Sequence, residues 1–256
     1  MSKQLLDMFY EYVHMFDMQD EKIALKVSHT IRVANTARQL AEKMMLSKKD
    51  CEFAFCIGLL HDIGRFEQVK RYQTFVDADS VDHAQLGIDI LLANNKALLR
   101  KFISDESLDE IVLQAIYYHN KYEITQFLDH HTLLHCQLIR DADKLDIFYL
   151  STFTSCEILY RCSKEQLQSQ IYSDNVFNQI MKQKSVVHSD RKNNIDIYIS
   201  HMAMVYDLNT GVAKAWLYEK GYMEMIATKF CFTNVKVQQG INMVHKQLQE
   251  YLKKHS

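Results

Sequence analysis

The 256-residue sequence contains no proline and only six glycines. Average usage would give roughly a dozen prolines and about eighteen glycines in a chain of this length. Because β-sandwiches and barrels need many turns rich in these residues, the deficit argues against them and favours an all-α fold. Long apolar runs are also missing, since the longest, at residues 53–60, is less than half of a bilayer span.

Charge and cysteine content argue against several further classes of protein. The chain has 30 Lys and Arg against 32 Asp and Glu, a net charge of -2, so it lacks the basic excess typical of nucleic-acid-binding proteins. Its six cysteines form no Cys-x-x-Cys pair, which favours free thiols over disulfides. No signal-type segment is present at the start. The sequence therefore predicts a soluble cytoplasmic protein that binds neither membrane nor nucleic acid.

Helical periodicity dominates the first part of the chain. Apolar residues at three- and four-residue steps predict two helices, over residues 20–44 and 47–61. Gly64 is expected to end the second helix, followed by a loop that continues to residue 79. Asp79 or Ser80 then caps a helix through residue 92.

The later segments are also expected to be helical. A capping-box pattern at Ser107 and Glu110 predicts one helix, and Asp129 is expected to cap a long helix to about Cys162. Amphipathic spacing predicts two more, and the segment between them fits either a strand or a helix, of which we favour the helix. These three segments are residues 164–184, 235–254 and 194–208.

Several ionisable side chains lie where the predicted helices are otherwise apolar. They are His29, His61, Asp62, His83, His119, Asp141 and Asp143. Each can be a hydrogen-bonded core residue when taken alone. Burying such groups without compensation is costly, however, and a metal ion is an efficient compensator. Their number in one small domain favours a shared metal site.

Two other histidines, His131 and His135, share a face of the helix that follows Asp129. At 1.5 Å per residue, His131 lies about 18 Å from Asp143 along the helix axis. These histidines therefore cannot join the same site, and we expect them to be surface or capping residues.

The ordered series His29, His61-Asp62 and Asp143 resembles the HD superfamily of metal-dependent phosphohydrolases. The local strings SHTIRVANTA, LLHDIGR and IRDADKLD carry the resemblance, which covers roughly residues 20–160. It implies a helical bundle in which these four side chains meet at a metal. It also selects Asp143 over Asp141, because the last ligand in the family is an Asp followed by Lys or Arg and then Leu. We expect this HD domain at residues 1–162, with a helical extension at 163–256 packed on the same core.

His83 in VDHAQLG and His119 in AIYYHN resemble the extra histidines of the bimetallic branches. These branches include the HD-GYP phosphodiesterases and a bacterial bis-nucleoside tetraphosphatase branch. The resemblance implies a bridging Asp62 between two ions, which are held by two groups of residues: His29, His61 and Asp143, and His83 and His119. Imidazole and carboxylate ligands suit one or two divalent ions of iron, manganese or another first-row metal.

The resemblance implies hydrolysis of a phosphoester or phosphoanhydride bond by metal-activated hydroxide, with Asp62 as a catalytic residue. Arg65 is the second catalytic candidate, because it lies only three residues after Asp62. The expected partner is a small, nucleotide-like phosphorylated substrate, and a homodimer is compatible with the sequence. Basic and amide groups near the motifs can hold phosphate. The substrate-binding candidates are Arg65, Lys70, Arg71, Asn120 and Lys144.

Two departures from family patterns narrow the choice of substrate. No GYP follows His119, so cyclic di-GMP cleavage by the HD-GYP mechanism is not supported. The deoxynucleotide monophosphatase branch has a Glu where this chain has Arg65, which argues against that activity. Two alternatives stay open: a monometallic phosphatase in which His83 and His119 bind substrate, and a non-catalytic regulatory module stabilised by its metal.

Overall fold

A computed structural model describes residues 2–256, and within that range the regular structure is helical, without a β-strand. This confirms the predicted all-α class. The chain divides into two compact units, Met1–Asp143 and Lys144–Ser256, and the division lies inside one long helix. The expected division at residue 162 stays a prediction. Among residues 2–256, no helix is both long enough and apolar enough to cross a membrane.

The first unit is built from six helices and most of a seventh, which extends past its boundary. They are α1 (Ser2–Val13), α2 (Glu21–Lys43), α3 (Lys48–Leu60), α4 (Ile63–Tyr72), α5 (His83–Phe102), α6 (Asp109–Tyr118) and α7 (His130–Phe153). Helix α1, which the periodicity did not predict, places Phe9 and Tyr12 against Phe66 of α4, with ring centroids 5.9 and 6.1 Å apart. These aromatic contacts fix α4 beside the rest of the unit.

Helices α2 and α3 form as predicted and pack closely. The side chain of Asp20 accepts a hydrogen bond from the backbone of Lys22 at the start of α2, and Ser47 caps α3 in the same way. A Cβ added at Gly58 of α3 would lie 2.4 Å from the Cα of Ala34 in α2. The absent side chain therefore allows the two backbones to approach closely.

Helix α3 ends close to the predicted residue 61, but Gly64 does not terminate it, and residues 64–72 of the expected loop are helical. Gly64 lies inside α4, because Ile63, Phe66 and Val69 recur every third residue and are all buried. The glycine serves packing instead of termination, since a Cβ there would lie 2.3 Å from the backbone oxygen of His83.

The predicted starts of the next two helices also need correction. Asp82, not Asp79 or Ser80, caps α5 by accepting from the backbone of Ala84. The expected end at residue 92 agrees with non-helical backbone at residues 93–96, after which α5 continues. Ser107 lies in a short 3₁₀ helix, so no capping box starts α6.

Helix α7 begins as expected, because Asp129 accepts from the backbone of His131 and Thr132. It ends at Phe153 and not near Cys162. Non-helical backbone at residues 154 and 155 separates it from the short helix that contains Cys156. Because this short helix keeps a helical apolar pattern, the sequence alone merges the two.

After the end of α7, the second unit contains seven helices of different lengths. They are α8 (Cys156–Tyr160), α9 (Lys164–Ser169), α10 (Asp174–Met181), α11 (Asn194–Ala203), α12 (Gly211–Lys220), α13 (Tyr222–Ala227) and α14 (Val235–His255). The helical interpretation of residues 194–208 is confirmed over its first ten residues, and α14 matches its prediction closely. The single helix expected at 164–184 is two helices with a break between them.

All six cysteines have free thiols, as predicted, and five of them are buried.

Candidate metal centre

Helices α2 and α3 bring His29 and His61 together. His61 lies at the end of α3, and the close contact at Gly58 holds the two imidazole rings with centroids 5.4 Å apart. Both side chains are buried, His61 completely. The helix crossing therefore places two metal-binding side chains at the base of one interior site.

Asp62 occupies the turn between α3 and α4. It stands at the position that would cap α4, yet its carboxylate makes no capping hydrogen bond. The side chain instead faces four histidines. One oxygen, Oδ2, lies 3.4 Å from His29 Nε2 and 3.5 Å from His61 Nε2. The other, Oδ1, lies 3.4 Å from His83 Nε2 and 3.6 Å from His119 Nε2. Each carboxylate oxygen thus faces its own pair of imidazoles.

Asp143 of α7 joins the first of these pairs. Its Oδ1 lies 3.2 Å from His29 Nε2 and 3.9 Å from His61 Nε2. The helical periodicity does not distinguish Asp141 from Asp143 as the metal ligand. The structure places Asp143 beside these two histidines. The ligand atoms of His29, His61 and Asp143 all lie within 4.8 Å of one another, as do those of His61, Asp62 and His119.

The outer nitrogens of the histidines set the direction of their lone pairs. His61 and His119 each donate from Nδ1 to the backbone carbonyl three residues earlier, at 2.8 and 2.6 Å. His83 donates from Nδ1 to Asp77 Oδ2 at 2.6 Å. With Nδ1 protonated, each Nε2 carries a lone pair that points at the interior of the site. Metal-binding histidines in proteins have this arrangement.

The protonation of the cluster suits a cation. Burial lowers the pKa of His61 and of His83 to about 4, so both rings are neutral at pH 7. Burial opposes the charge of Asp62, but Lys26 and the surrounding histidines hold the pKa of this carboxyl well below its usual value. Ionised carboxylates and neutral imidazoles are the forms that bind metals.

Two details of the geometry call for an ion at this position. The Nε2 of His61 is buried and has no hydrogen-bond partner. The Nε2 atoms of His83 and His119 are 3.0 Å apart, although neither carries a proton when both Nδ1 atoms do. A divalent ion would satisfy these lone pairs. The donor set therefore fits the metal that the sequence suggests.

Sequence reasoning missed Lys26, whose ammonium lies 2.6 Å from Asp62 Oδ2. Lys26 precedes His29 by three residues on α2, so a search for residues on the same helix face as the histidine would have found it. It brings a positive charge directly to the carboxylate that faces both pairs of imidazoles.

Asp77 was also missed, and it connects His83 to Arg65. Its Oδ2 accepts from His83, and its Oδ1 accepts from Arg65 Nη1 at 2.7 Å. Arg65 also donates to the backbone oxygen of Phe75 at 2.6 Å, and its Nε lies 3.6 Å from Asp62 Oδ1. Asp77 belongs to the segment expected to be a loop, in which the sequence indicates a role for basic residues and none for Asp77. No spacing rule relates it to the motifs.

The remaining substrate-binding candidates have varied surroundings. Lys70 and Arg71 are exposed and lie near Glu67. Asn120 lies beside the cluster, with Nδ2 3.5 Å from His83 Nδ1 and its Oδ1 buried without a hydrogen-bond partner. Lys144 is buried in the second unit, with its ammonium 3.0 Å from Asp207 Oδ2. Their roles in binding substrate stay predictions.

The expectation that His131 and His135 are surface or capping residues is wrong for His135, which is only 1% exposed. His131 is partly exposed, and its Nε2 lies 3.0 Å from Asp50 Oδ1. These residues lie apart from the cluster around Asp62 along α7, as predicted.

Comparison with known proteins identifies the region that contains the cluster. Residues 27–147 match the family model described as HD domain, and all six residues of the cluster fall within this range. The match confirms the resemblance drawn from the ordered His and Asp motifs. No curated protein and no solved structure gives a significant match to the chain.

Proposed function

Because residues 27–147 of this chain form an HD domain, we propose that the protein is a metal-dependent phosphohydrolase. Its substrate is a small, nucleotide-like molecule with a phosphoester or phosphoanhydride bond. The observation that carries the proposal is Asp62, whose two oxygens face different pairs of histidine Nε2 atoms at 3.4–3.6 Å. A carboxylate in this position suits a bridge between two cations.

Six residues would hold the ions: His29, His61, Asp62, His83, His119 and Asp143. When bound, first-row divalent ions would supply a water of lowered pKa and would stabilise charge on a phosphoryl group. Asp62 and Asp143 contribute negative charge to this centre, and the neutral imidazoles contribute lone pairs. The Nδ1 hydrogen bonds of His61, His83 and His119 hold these rings in the required orientation.

Two cations of the chain adjoin the cluster and would orient the phosphate. Arg65 is anchored through Nη1 by Asp77 and Phe75, while its buried Nε has no hydrogen-bond partner. Lys26 lies against Asp62. Charged donors of this kind form strong hydrogen bonds to phosphoryl oxygens. We assign Arg65 and Lys26 to substrate positioning next to the metal ligands.

The proposal is tested by purifying the protein without chelator, measuring its metal content, and screening for phosphate release. The screen covers mono-, di-, tri- and dinucleotides with several divalent ions. We expect Asp62→Ala to lose activity and the metal bound at the six candidate ligands, while Asp79→Ala, at an exposed position, retains both. Activity that survives Asp62→Ala contradicts the mechanism. A metal-loaded protein that hydrolyses none of these substrates supports the regulatory alternative.

The number of ions is tested separately with His83→Ala. A bimetallic centre loses one ion relative to wild type and keeps the ion held by His29, His61 and Asp143. Unchanged metal content would contradict the bimetallic assignment and favour the monometallic phosphatase.

A further inference from the structure

We propose a second, zinc-type metal site formed by Asp50, His131 and His135, at the N-terminal ends of α3 and α7. The three ligand atoms lie within 4.8 Å of one another. Asp50 Oδ1 lies 3.0 Å from His131 Nε2 and 3.9 Å from His135 Nε2. The site joins the first turn of α3 to the first turns of α7.

The distances are close to those within a bound zinc site. Zinc bonds of about 2.0–2.1 Å to nitrogen and oxygen place tetrahedral ligands about 3.4 Å apart. The two observed distances to Asp50 Oδ1 lie on either side of this value. Histidines four residues apart share one face of a helix, so α7 presents both imidazoles together.

His135 supplies the independent sign of a ligand. Its side chain is fully buried, and neither ring nitrogen has a hydrogen-bond partner. A buried polar group without a partner is costly. Burial lowers the pKa of this imidazole to about 4, so the ring is neutral and its lone pair is available at pH 7. An ion between His135 and Asp50 would offset the cost of burying the ring.

The remaining geometry also suits a metal ligand. Ser47 Oγ donates to Asp50 Oδ2 at 2.6 Å, which holds the carboxylate and leaves Oδ1 directed at the histidines. Phe53 packs edge-on against His135, with ring centroids 4.7 Å apart, and so fixes the ring. Supporting contacts of this kind orient metal ligands.

Zinc is the occupant that this donor set favours. Two imidazoles and a carboxylate form a borderline donor set, and zinc accepts water as a fourth ligand. The side chains of His131 and Asp50 are 43% and 29% exposed, so water can reach the ion. At 1.5 Å per residue, Asp50 lies about 17 Å from His61 along α3, and His131 lies about 18 Å from Asp143 along α7. The proposed ion therefore braces α3 against α7 away from the reaction.

The test compares His131→Ala with its matched control His130→Ala. His130 is the exposed neighbour at the start of α7, and His131 is exposed enough that its truncation leaves the core intact. Zinc affinity is measured by titration against a chromogenic chelator, with Asp62→Ala as the background to weaken the other centre. We expect His131→Ala to lose one equivalent of zinc or to bind it at least tenfold more weakly. His130→Ala should match its parent.

A second readout separates this site from the proposed hydrolase. Added zinc should raise the melting temperature of the Asp62→Ala parent and of its His130→Ala derivative, but not of its His131→Ala derivative. In the wild-type background, His131→Ala should keep phosphohydrolase activity, because it lies far from Asp62. Equal zinc affinity in the two histidine variants would overturn the second site and leave the proposed function untouched. Failure of the hydrolase assay would leave the zinc titration unaffected.

Discussion

Asp62 shows how the charge of one buried residue depends on its neighbours. Burial alone raises the pKa of a carboxyl, because the charged form loses water. Lys26, with its ammonium 2.6 Å away, contributes the largest opposing effect, and the surrounding histidines add to it. The carboxylate is therefore ionised throughout the neutral range. The same ammonium is available to a phosphate that approaches the cluster.

We expect Lys26→Met to lower kcat/KM by about ten- to a hundredfold, which is the effect of losing a charged hydrogen bond to a phosphoryl group. Metal content should be retained, because all six candidate ligands remain. Steady-state kinetics and elemental analysis check the two statements. Lys22→Met is the matched control, since Lys22 is exposed one turn earlier on α2. Unchanged kcat/KM in Lys26→Met would show that the ammonium has no role in positioning substrate.

At the scale of elements, the helices predicted best are those whose apolar pattern is uninterrupted, such as α2 and α14. The errors occur where tertiary contacts decide. Gly64 resembles a helix terminator, but it lies in the first turn of α4. Its missing side chain allows α5 to approach closely. The early end of α7 at Phe153 has no strong signal in the sequence. Local patterns record which face is apolar and do not record what packs against it.

In the candidate site, too, local sequence patterns predict some of the residues and tertiary contacts decide the others. The ordered motifs identify His29, His61, Asp62 and Asp143, because their types and order are specific to a known family. Asp77 and Lys26 lie outside these motifs, although Lys26 contacts Asp62 directly and Asp77 contacts His83. No spacing rule relates Asp77 to the motifs, whereas Lys26 precedes His29 by three residues on α2. Their contribution becomes visible only when the folded chain brings the segments together.

The contact between α2 and α3 gives a prediction at this scale. Gly58→Ala places a methyl group where the backbone of Ala34 lies, so the two helices must separate. We expect a loss of about 1–3 kcal/mol in the free energy of unfolding, as for other overpacked cores. Urea denaturation measures it, and metal affinity should fall because His29 and His61 move apart.

Gly211→Ala provides the control for Gly58→Ala. The nearest atom to an added Cβ at Gly211 is 3.8 Å away, an ordinary van der Waals distance. This substitution should change the free energy of unfolding by less than about 1 kcal/mol. A Gly58→Ala protein as stable as Gly211→Ala would mean that α2 and α3 tolerate a wider separation than the structure indicates.

At the scale of the whole molecule, buried neutral histidines make stability depend on pH. Burial lowers the pKa of His61, His83 and His135 to about 4, and that of His201 to about 3. A histidine in the unfolded chain has a pKa of about 6.5. As the pH falls below that value, the unfolded state binds protons that the folded state does not. The free energy of unfolding therefore decreases progressively as the pH drops from about 6.5 towards 4.

His201, in the second unit, allows this effect to be measured away from any candidate metal ligand. It is buried, and its Nδ1 lies 3.2 Å from Ser151 Oγ. The positive charge of Arg191 disfavours the protonated ring and lowers the pKa of His201 further. Because the buried ring stays neutral, lowering the pH from 7 to 5 should reduce the free energy of unfolding by about 2 kcal/mol through this residue alone. We expect His201→Gln, which retains a polar side chain but does not titrate, to lose about that much less than wild type over this interval. Urea denaturation at the two pH values measures the difference, and His188→Gln, at an exposed position, is the control. Equal losses in wild type and His201→Gln would mean that this histidine accepts a proton without unfolding.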